Sequence, residues 1–326
     1  MLKYIFKRML LMIPVLVGVI FIVFTINYLT PGDPTLTILG ADAKEEEYVQ
    51  LRSELGLDEP FFVQFYNYMK ALVTKFDLGT SYTTRRSVTS EILERAPITL
   101  KLGLIGVGIT VLLGIPFGII SAVRQNTPMD YSVTFIALFF ASMPSFWLAL
   151  MMMLLFSLKL KWFPASGLSS WKSWVMPCLA LGLSPVATIT RLTRSSMLEV
   201  IRQDYIRTAR SKGVGEFKVI TKHALRNALI PVITNIGMQL GNIMAGSVVI
   251  ESIFGITGIG TLMVTGINNK NYPVVLGCVI FLSMAVCVIN LLVDIVYSFV
   301  DPRLKAQLTG GKPRGSRRST LRKEAA

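Results

Sequence analysis

Few side chains in this sequence have the types and spacing that chemistry needs. A nucleophile, a general base or a metal centre calls for clustered His, Cys, Asp or Glu near the end of an element. The single histidine, His223, lies in a basic stretch with no second histidine or cysteine nearby, and a solvated helical position is its simplest reading. Cys178, Cys278 and Cys287 fall in apolar runs at unmatched spacings and read as small hydrophobes. Gly310-Gly311-Lys312-Pro313 lacks both the earlier glycine and the terminal hydroxyl of a phosphate-binding loop. Gly255-Ile256-Thr257-Gly258-Ile259-Gly260 has the wrong glycine order for a dinucleotide site and follows no strand signal. Covalent catalysis, metal chemistry and ATP hydrolysis are therefore not expected of this chain, and no cofactor or metal is assigned to it.

The remaining polar clues lie inside apolar runs. Asn235, Gln239 and Asn242 recur at i, i+4 and i+7, on one helix face, and Asn290 and Asp294 form an i, i+4 pair. Lipid-facing polar groups are costly, so these side chains should face protein or water. Asn235, Gln239, Asn242 and Asn290 are candidates for a translocation pathway, and interhelical hydrogen bonding remains the alternative for the first three. Asp294 reads as a structural intramembrane acid near the inner face, because its span ends six residues later. An ion-coupled carrier needs several intramembrane ionisable groups, and only Asp294 is expected to qualify.

The elements that hold these residues follow from composition. Of 326 residues, 52% are hydrophobic and 16% charged, with mean hydropathy +0.57. A soluble domain carries about 25% charged residues. The net charge of +14 would suit a nucleic-acid partner, but such proteins are rarely this apolar, and a membrane surface fits better. Six long windows lack Asp, Glu, Lys and Arg: Met9–Gly32, Leu102–Val123, Tyr131–Leu158, Ser173–Thr190, Asn227–Ile250 and Asn271–Val293. A bilayer core of about 30 Å needs about 20 apolar helical residues. The windows predict an all-α polytopic membrane protein with six transmembrane helices. The first is read as an uncleaved helix rather than a signal peptide, because its apolar run is long and no small-residue cleavage site follows Phe24. Gly114–Gly118 and Gly237–Gly241 permit close helix contact, in the bundle or in a dimer.

An even number of spans puts both termini on one side. With the termini inside, the internal segments carry +15, the external segments are neutral, and Asp294 accounts for the difference. The positive-inside rule then places both ends in the cytoplasm. Residues 1–29 form the N-terminal cytoplasmic segment and first helix, and 30–97 an extracytoplasmic subdomain. Residues 98–300 form a five-helix core with a cytoplasmic loop at 191–228, and 301–326 form a basic tail with lipid headgroups as a candidate contact.

The two large loops differ in kind. The outer one opens with the sharp turn Pro31-Gly32-Asp33-Pro34. Pro60 suits a first helical turn, and Phe61, Phe65, Tyr68, Leu72 and Phe76 follow at helical spacing as one aromatic face, of a small subdomain packed on the outer helix ends or of a direct substrate platform. In the inner loop Gly213 and Gly215 break two helical halves. Met197, Val200, Ile201, Tyr205 and Ala209 make one apolar face among basic residues. Such a helix–Gly–helix could lie on a membrane surface or dock into a partner.

The segment DYIRTARSKG…KHALRNALIP within that loop resembles the coupling loop of inner-membrane permease subunits of binding-protein-dependent ABC importers, specifically the dipeptide/oligopeptide/nickel family. Against the Glu-Ala-Ala-x-x-x-Gly pattern, Gly213 holds the glycine, Thr208 and Ala209 the alanines, and Arg207 replaces the glutamate. Arg226 stands where a later proline falls. Further similarities run in order: TPGDP (30–34), LGLDEP (55–60), DLGTS (77–81), MPSFW (143–147), ESIFGITGIGTL (251–262) and DPRL (301–304). The resemblance implies a type I ABC importer permease fold and a chain in the bacterial cytoplasmic membrane. It implies a second homologous permease subunit, two ABC ATPase subunits that bind ATP and Mg, an extracytoplasmic substrate-binding protein, and no nucleic acid. It assigns ATPase coupling to Asp204, Tyr205, Arg207, Thr208, Ala209, Arg210, Lys212, Gly213, Gly215, His223 and Arg226. Gly213 would permit a tight bend, and Arg207, Arg210 and Lys212 would meet acidic groups of the ATPase. Peptides are the expected substrate, with nickel chelates, opines and glutathione as the family's alternatives.

Overall fold

A computed structural model describes residues 2–40 and 43–300. The basic tail at 301–326 and the DPRL motif lie outside the described residues. Fourteen α-helices are described: α1 Leu2–Leu29, α2 Pro34–Leu39, α3 Glu45–Glu54, α4 Phe61–Lys75, α5 Val88–Val123, α6 Pro128–Ala141, α7 Ser145–Met152, α8 Lys172–Leu183, α9 Val186–Ile201, α10 Asp204–Ser211, α11 Glu216–Lys218, α12 Leu225–Ile253, α13 Ile259–Asn268 and α14 Tyr272–Val300. Wide π-type turns at Met153–Lys159 and Val219–Ala224 extend α7 and join α11 to α12.

Four of the six charge-free windows fall almost entirely on single continuous helices, and two do not. The window Tyr131–Leu158 is a pair of helices, Pro128–Ala141 and Ser145–Lys159, bent by 93°. The bend falls at Met143-Pro144, where proline disfavours a helical preceding residue and supplies no N–H. The Ser173–Thr190 window is likewise bent, by 49°, next to Pro185. Among the described residues four helices are thus long and apolar enough to cross a membrane, or up to six if each bent pair is one span.

Helix ends also outrun the windows. α5 begins ten residues before the expected boundary at 98, and its 36 residues rise about 54 Å, well beyond a core of about 30 Å. α9 continues to Ile201, so the first third of the 191–228 loop is an extension of a span.

Three large clusters hold the bundle, beside a small one of Ala137, Val186 and Ala187 between α6 and α9. The middle one joins α5, α7, α8 and α12 through Leu102, Ala149, Met176, Leu181, Ile243 and Ile250. Across it, Thr110 Oγ1 donates to the Gly182 carbonyl at 2.7 Å. Val88, Ile92, Ile259, Val274 and Cys278 pack the end that carries α2–α4. Ala122, Met197, Ile206, Val219, Ala224 and Ala228 pack the opposite end. Both Gly-x-x-x-Gly pairs serve contacts within the chain: α5 meets α9 at Gly114 and Gly118, and α12 meets α14 at Gly237.

α1 stands at the edge. Among its described residues only Ile20 is buried, while Leu10, Ile13, Ile22 and Ile26 are exposed. It lies antiparallel to α14, with Arg8 Nη2 3.1 Å from Asp294 Oδ2 near one end and the Tyr272 hydroxyl donating to the Gly32 carbonyl at 3.2 Å at the other. From Arg8 to Leu29 a helix rises about 32 Å, which matches the hydrocarbon core.

Candidate coupling surface and buried polar contacts

The loop assigned to coupling is a folded unit, because it carries its own apolar contacts. α9 ends at Ile201, and α10 starts at Asp204 after a turn. Gly213 takes φ +79°, the left-handed region that β-carbons disfavour, and α11 follows Gly215. Arg210 closes the turn from α10 onto α11: its Nε and Nη2 donate to Glu216 Oε2 and Oε1 at 3.0 and 2.6 Å. That pairing pushes the guanidinium pKa further up. Arg210 is thus engaged within the loop, while Arg207 and Lys212 point to solvent. Asp204 and Thr208 are exposed, and Thr208 Oγ1 donates to the Asp204 carbonyl at 2.9 Å. His223 is half-buried in the wide turn before α12, and Arg226 is exposed.

Tyr205 departs from the expected apolar face. It is 44% exposed, and Ile206, fully buried, packs in its place. The break at Arg202–Gln203 resets the helical phase between Met197 and Ala209, so one continuous periodicity does not apply. Tyr205 instead accepts a hydrogen bond from Asn227 Nδ2 at 2.8 Å. Phe217, absent from the sequence-based assignment, is 81% exposed beside the glycine turn. An aromatic between Glu216 and Lys218, on the solvent side of a charged helix, was the available signal.

Among the polar pathway candidates, Asn242 Nδ2 donates to Gln239 Oε1 at 3.1 Å, and Asn235 Oδ1 is buried with no hydrogen-bond partner. Asn242 and Asn290 are exposed. None of the four lines either of two large cavities. One, of about 860 Å³, is bounded by Asn27, Asp33, Arg52, Tyr68 and Tyr272; the other, of about 1050 Å³, by Asp130, Phe135, Thr190 and Arg194.

Besides Asp294, read from sequence as the one intramembrane acid, the bundle buries acids at its helix ends. Glu251, Glu91 and Asp130 are all buried. Each stands beside or outside a window defined by its freedom from charge, so counting windows hid them. Glu251, at the end of α12, caps the start of α13: Oε2 accepts from Gly260 N at 2.7 Å and Thr261 N at 3.2 Å. Its Oε1 accepts from Thr99 Oγ1 at 2.7 Å, and Thr99 Oγ1 in turn accepts from Ile259 N at 2.9 Å. A carboxylate suits the positive end of a helix. A β-carbon at Gly258 or Gly260 would collide with that carboxylate, which explains two of the three glycines of ESIFGITGIGTL; the third, Gly255, takes φ +57°. Asp130 is gripped by Arg194 and accepts from Ser121 Oγ and from Asn126 N at 3.0 Å, tying the α5–α6 turn to α9.

Two more of the sequence motifs are structural ties at the other end. Asp33 of TPGDP caps α2 by accepting from Thr35 N at 2.9 Å and pairs with Arg52, which also holds Asp58 at 2.8 Å. Ser81 of DLGTS accepts from Asn271 Nδ2 at 2.9 Å, while Tyr82 N donates to Asn271 Oδ1 at 3.1 Å. Among the described residues no group of three or more His, Cys, Asp or Glu could hold a metal.

A bundle of apolar helices with a folded, charged loop at one end defines a polytopic membrane protein. Comparison with known proteins gives the family. The model of binding-protein-dependent transport system inner membrane components matches residues 114–306, and that of their N-terminal portion residues 1–103. The chain belongs to this family: it is a multi-pass permease subunit of an ABC importer in the bacterial inner membrane, not an enzyme, and it works with a binding protein and an ATPase that binds the ATP. The dipeptide transport system permease protein DppB of Alkalihalophilus pseudofirmus is 42% identical over 94% of this chain and 100% of its own length. The glutathione transport system permease protein GsiC of Salmonella typhimurium is 40% identical over 94% and 99%. A structure of the MetNI methionine ABC transporter in an inward-facing conformation shares the fold, with TM-score 0.56 and 19% identity over 65% of this chain and 96% of that one.

Proposed function

We propose that this permease imports peptides, with both termini in the cytoplasm and the 191–228 loop seated on the ATPase. The geometry of the loop is the observation that carries the coupling role. It has a buried core anchored on Ala122 of α5, a fixed glycine turn braced by Arg210–Glu216, and Tyr205, Arg207, Lys212 and Phe217 left outward. Exposed aromatics and arginines are the groups that dominate protein interfaces. ATP-driven closure would push the loop, and through α9 and α12 the helices, toward an outward-open state that receives substrate from the binding protein.

A second, homologous permease subunit completes the pathway. Asn242 and Asn290 are exposed on otherwise apolar helices, and an amide facing lipid costs several kcal/mol. Protein or a water-filled passage must therefore face them. The near-equal identity to dipeptide and glutathione permeases favours substrates with a peptide backbone over nickel chelates or opines. Mass spectrometry of the ligand that co-purifies with the cognate binding protein tests this. A di- or oligopeptide or glutathione supports the proposal, and a nickel chelate or an opine overturns it.

A further inference from the structure

We propose that α4 is an interfacial helix that buries an apolar stripe in the outer leaflet of the membrane. At about 100° per residue, its circumference divides into three arcs. Phe61, Phe65 and Tyr68 form one and meet α1: Phe24 lies 5.5, 5.4 and 6.1 Å from their rings, and Phe21 lies 5.8 and 5.4 Å from the first two. Gln64 and Asn67 form the second and turn into the subdomain. Gln64 Nε2 donates to the Glu59 carbonyl at 2.8 Å, and Asn67 Nδ2 to Glu59 Oε2 at 3.0 Å. The third arc is Phe62, Tyr66 and Val73, which are 75%, 64% and 66% exposed and touch no helix that would cover them; Phe76, expected on the Phe61 face, instead ends the helix in the left-handed region at φ +51° and is 83% exposed.

Depth identifies what covers this arc. The Arg8–Asp294 pair marks one boundary of the apolar slab. A core of about 30 Å reached at about 1.5 Å per residue puts the other near Tyr28. Phe24 and Phe21 then lie about 6 and 10 Å inside it, and they are the residues that α4 touches. Interfacial helices sink about 5–10 Å into the headgroup and acyl boundary. Phe24 alone meets side chains spread over about 10 Å of α4, so α4 crosses α1 instead of following it. The exposed arc continues the surface that α1 presents to lipid through Ile22 and Ile26. Lys70 is exposed beside it, with a stem long enough to reach headgroups. The assignment to the outer leaflet rests on the termini-inside reading; insertion at this depth does not.

Spin labels test both. Phe62→Cys, Tyr66→Cys and Glu46→Cys are introduced singly with Cys287→Ser into the full chain, assembled with its partner subunits in phosphatidylethanolamine–phosphatidylglycerol vesicles. Labels at 62 and 66 should collide with oxygen in preference to a nickel chelate and report a depth of about 5–10 Å below the phosphates, whereas the label at 46 should show the reverse. Nickel access at 62 and 66 equal to that at 46 overturns the proposal. So does shielding from both reagents, which means a protein cover, either the second subunit or the binding protein. Should Phe62→Cys fail to assemble, Val73→Cys gives the same reading. In vesicles of known sidedness, protection of the label at 46 from external ascorbate overturns only the orientation.

Discussion

Arg194 holds Asp130 with two parallel hydrogen bonds, Nε to Oδ1 at 3.1 Å and Nη2 to Oδ2 at 2.8 Å. The pair joins the first turn of α6 to the helix that leads into the coupling loop. Asp130 is buried and Arg194 is 30% exposed, so removing the arginine strands a buried carboxylate. Arg194→Ala should cost about 3 kcal/mol, the low end for a broken buried pair. Asp130→Asn should cost less, and the double variant less than the sum of the two. Thermal unfolding in detergent checks this; additive losses would contradict a direct pair.

Glu251 satisfies three donors at once, two of them buried and one half-buried. Glu251→Ala should lower stability by at least about 2 kcal/mol, because it leaves Thr99 and the amides that start α13 unpaired. Glu251→Gln keeps the shape but not the charge, and should fall between. An unfolding midpoint for Glu251→Ala equal to that of the unmodified chain would remove the carboxylate's capping role.

How much of this was legible in the sequence depended on the physics behind each signal. The bilayer demands long charge-free runs, so the spans could be counted without coordinates. Bends could not, because Pro14, Pro97, Pro116 and Pro231 sit inside helices while Pro144 and Pro185 mark breaks of 93° and 49°. Proline alone does not say which. Glu251 escaped because a window stops at the first charge, although its worth lies in donors that arrive from Thr99 and from the turn beyond Gly258. Tyr205 was misplaced because a helical period was carried across a break that no Gly or Pro announces. Gly213, by contrast, was readable as a turn from its residue type.

Phe217 separates docking from folding. With its side chain exposed, Phe217→Ala should shift stability by less than about 0.5 kcal/mol. If it anchors the ATPase, affinity for that subunit should fall by about 2 kcal/mol, roughly 30-fold. Titration of ATPase onto the permease in detergent measures this, and unchanged affinity would remove Phe217 from the interface.

The Asp33–Arg52 pair sets an acid limit on the outer subdomain. Burial raises the Asp33 pKa, but hydrogen bonds from Thr35 and Arg52 outweigh it and hold the carboxyl below its ordinary 3.8. A depressed folded value means that the stabilisation is complete above pH 3.8 and is lost as pH falls through the lower folded value. The unmodified chain should therefore lose more stability on acidification through that range than Asp33→Asn does. Parallel pH profiles of the two would show that the pair contributes nothing.

Coupling through the loop is tested most directly at Gly213. Its φ of +79° lies outside the range proline can adopt. Its amide donates to the Arg210 carbonyl at 2.9 Å, a hydrogen bond that proline cannot make. The decisive measurement follows ATP hydrolysis and substrate uptake together in proteoliposomes carrying Gly213→Pro assembled with its partner subunits. The expected result is a chain that inserts and assembles while ATP hydrolysis no longer drives uptake. Uptake that keeps its normal ratio to ATP hydrolysis would contradict the coupling role of the loop.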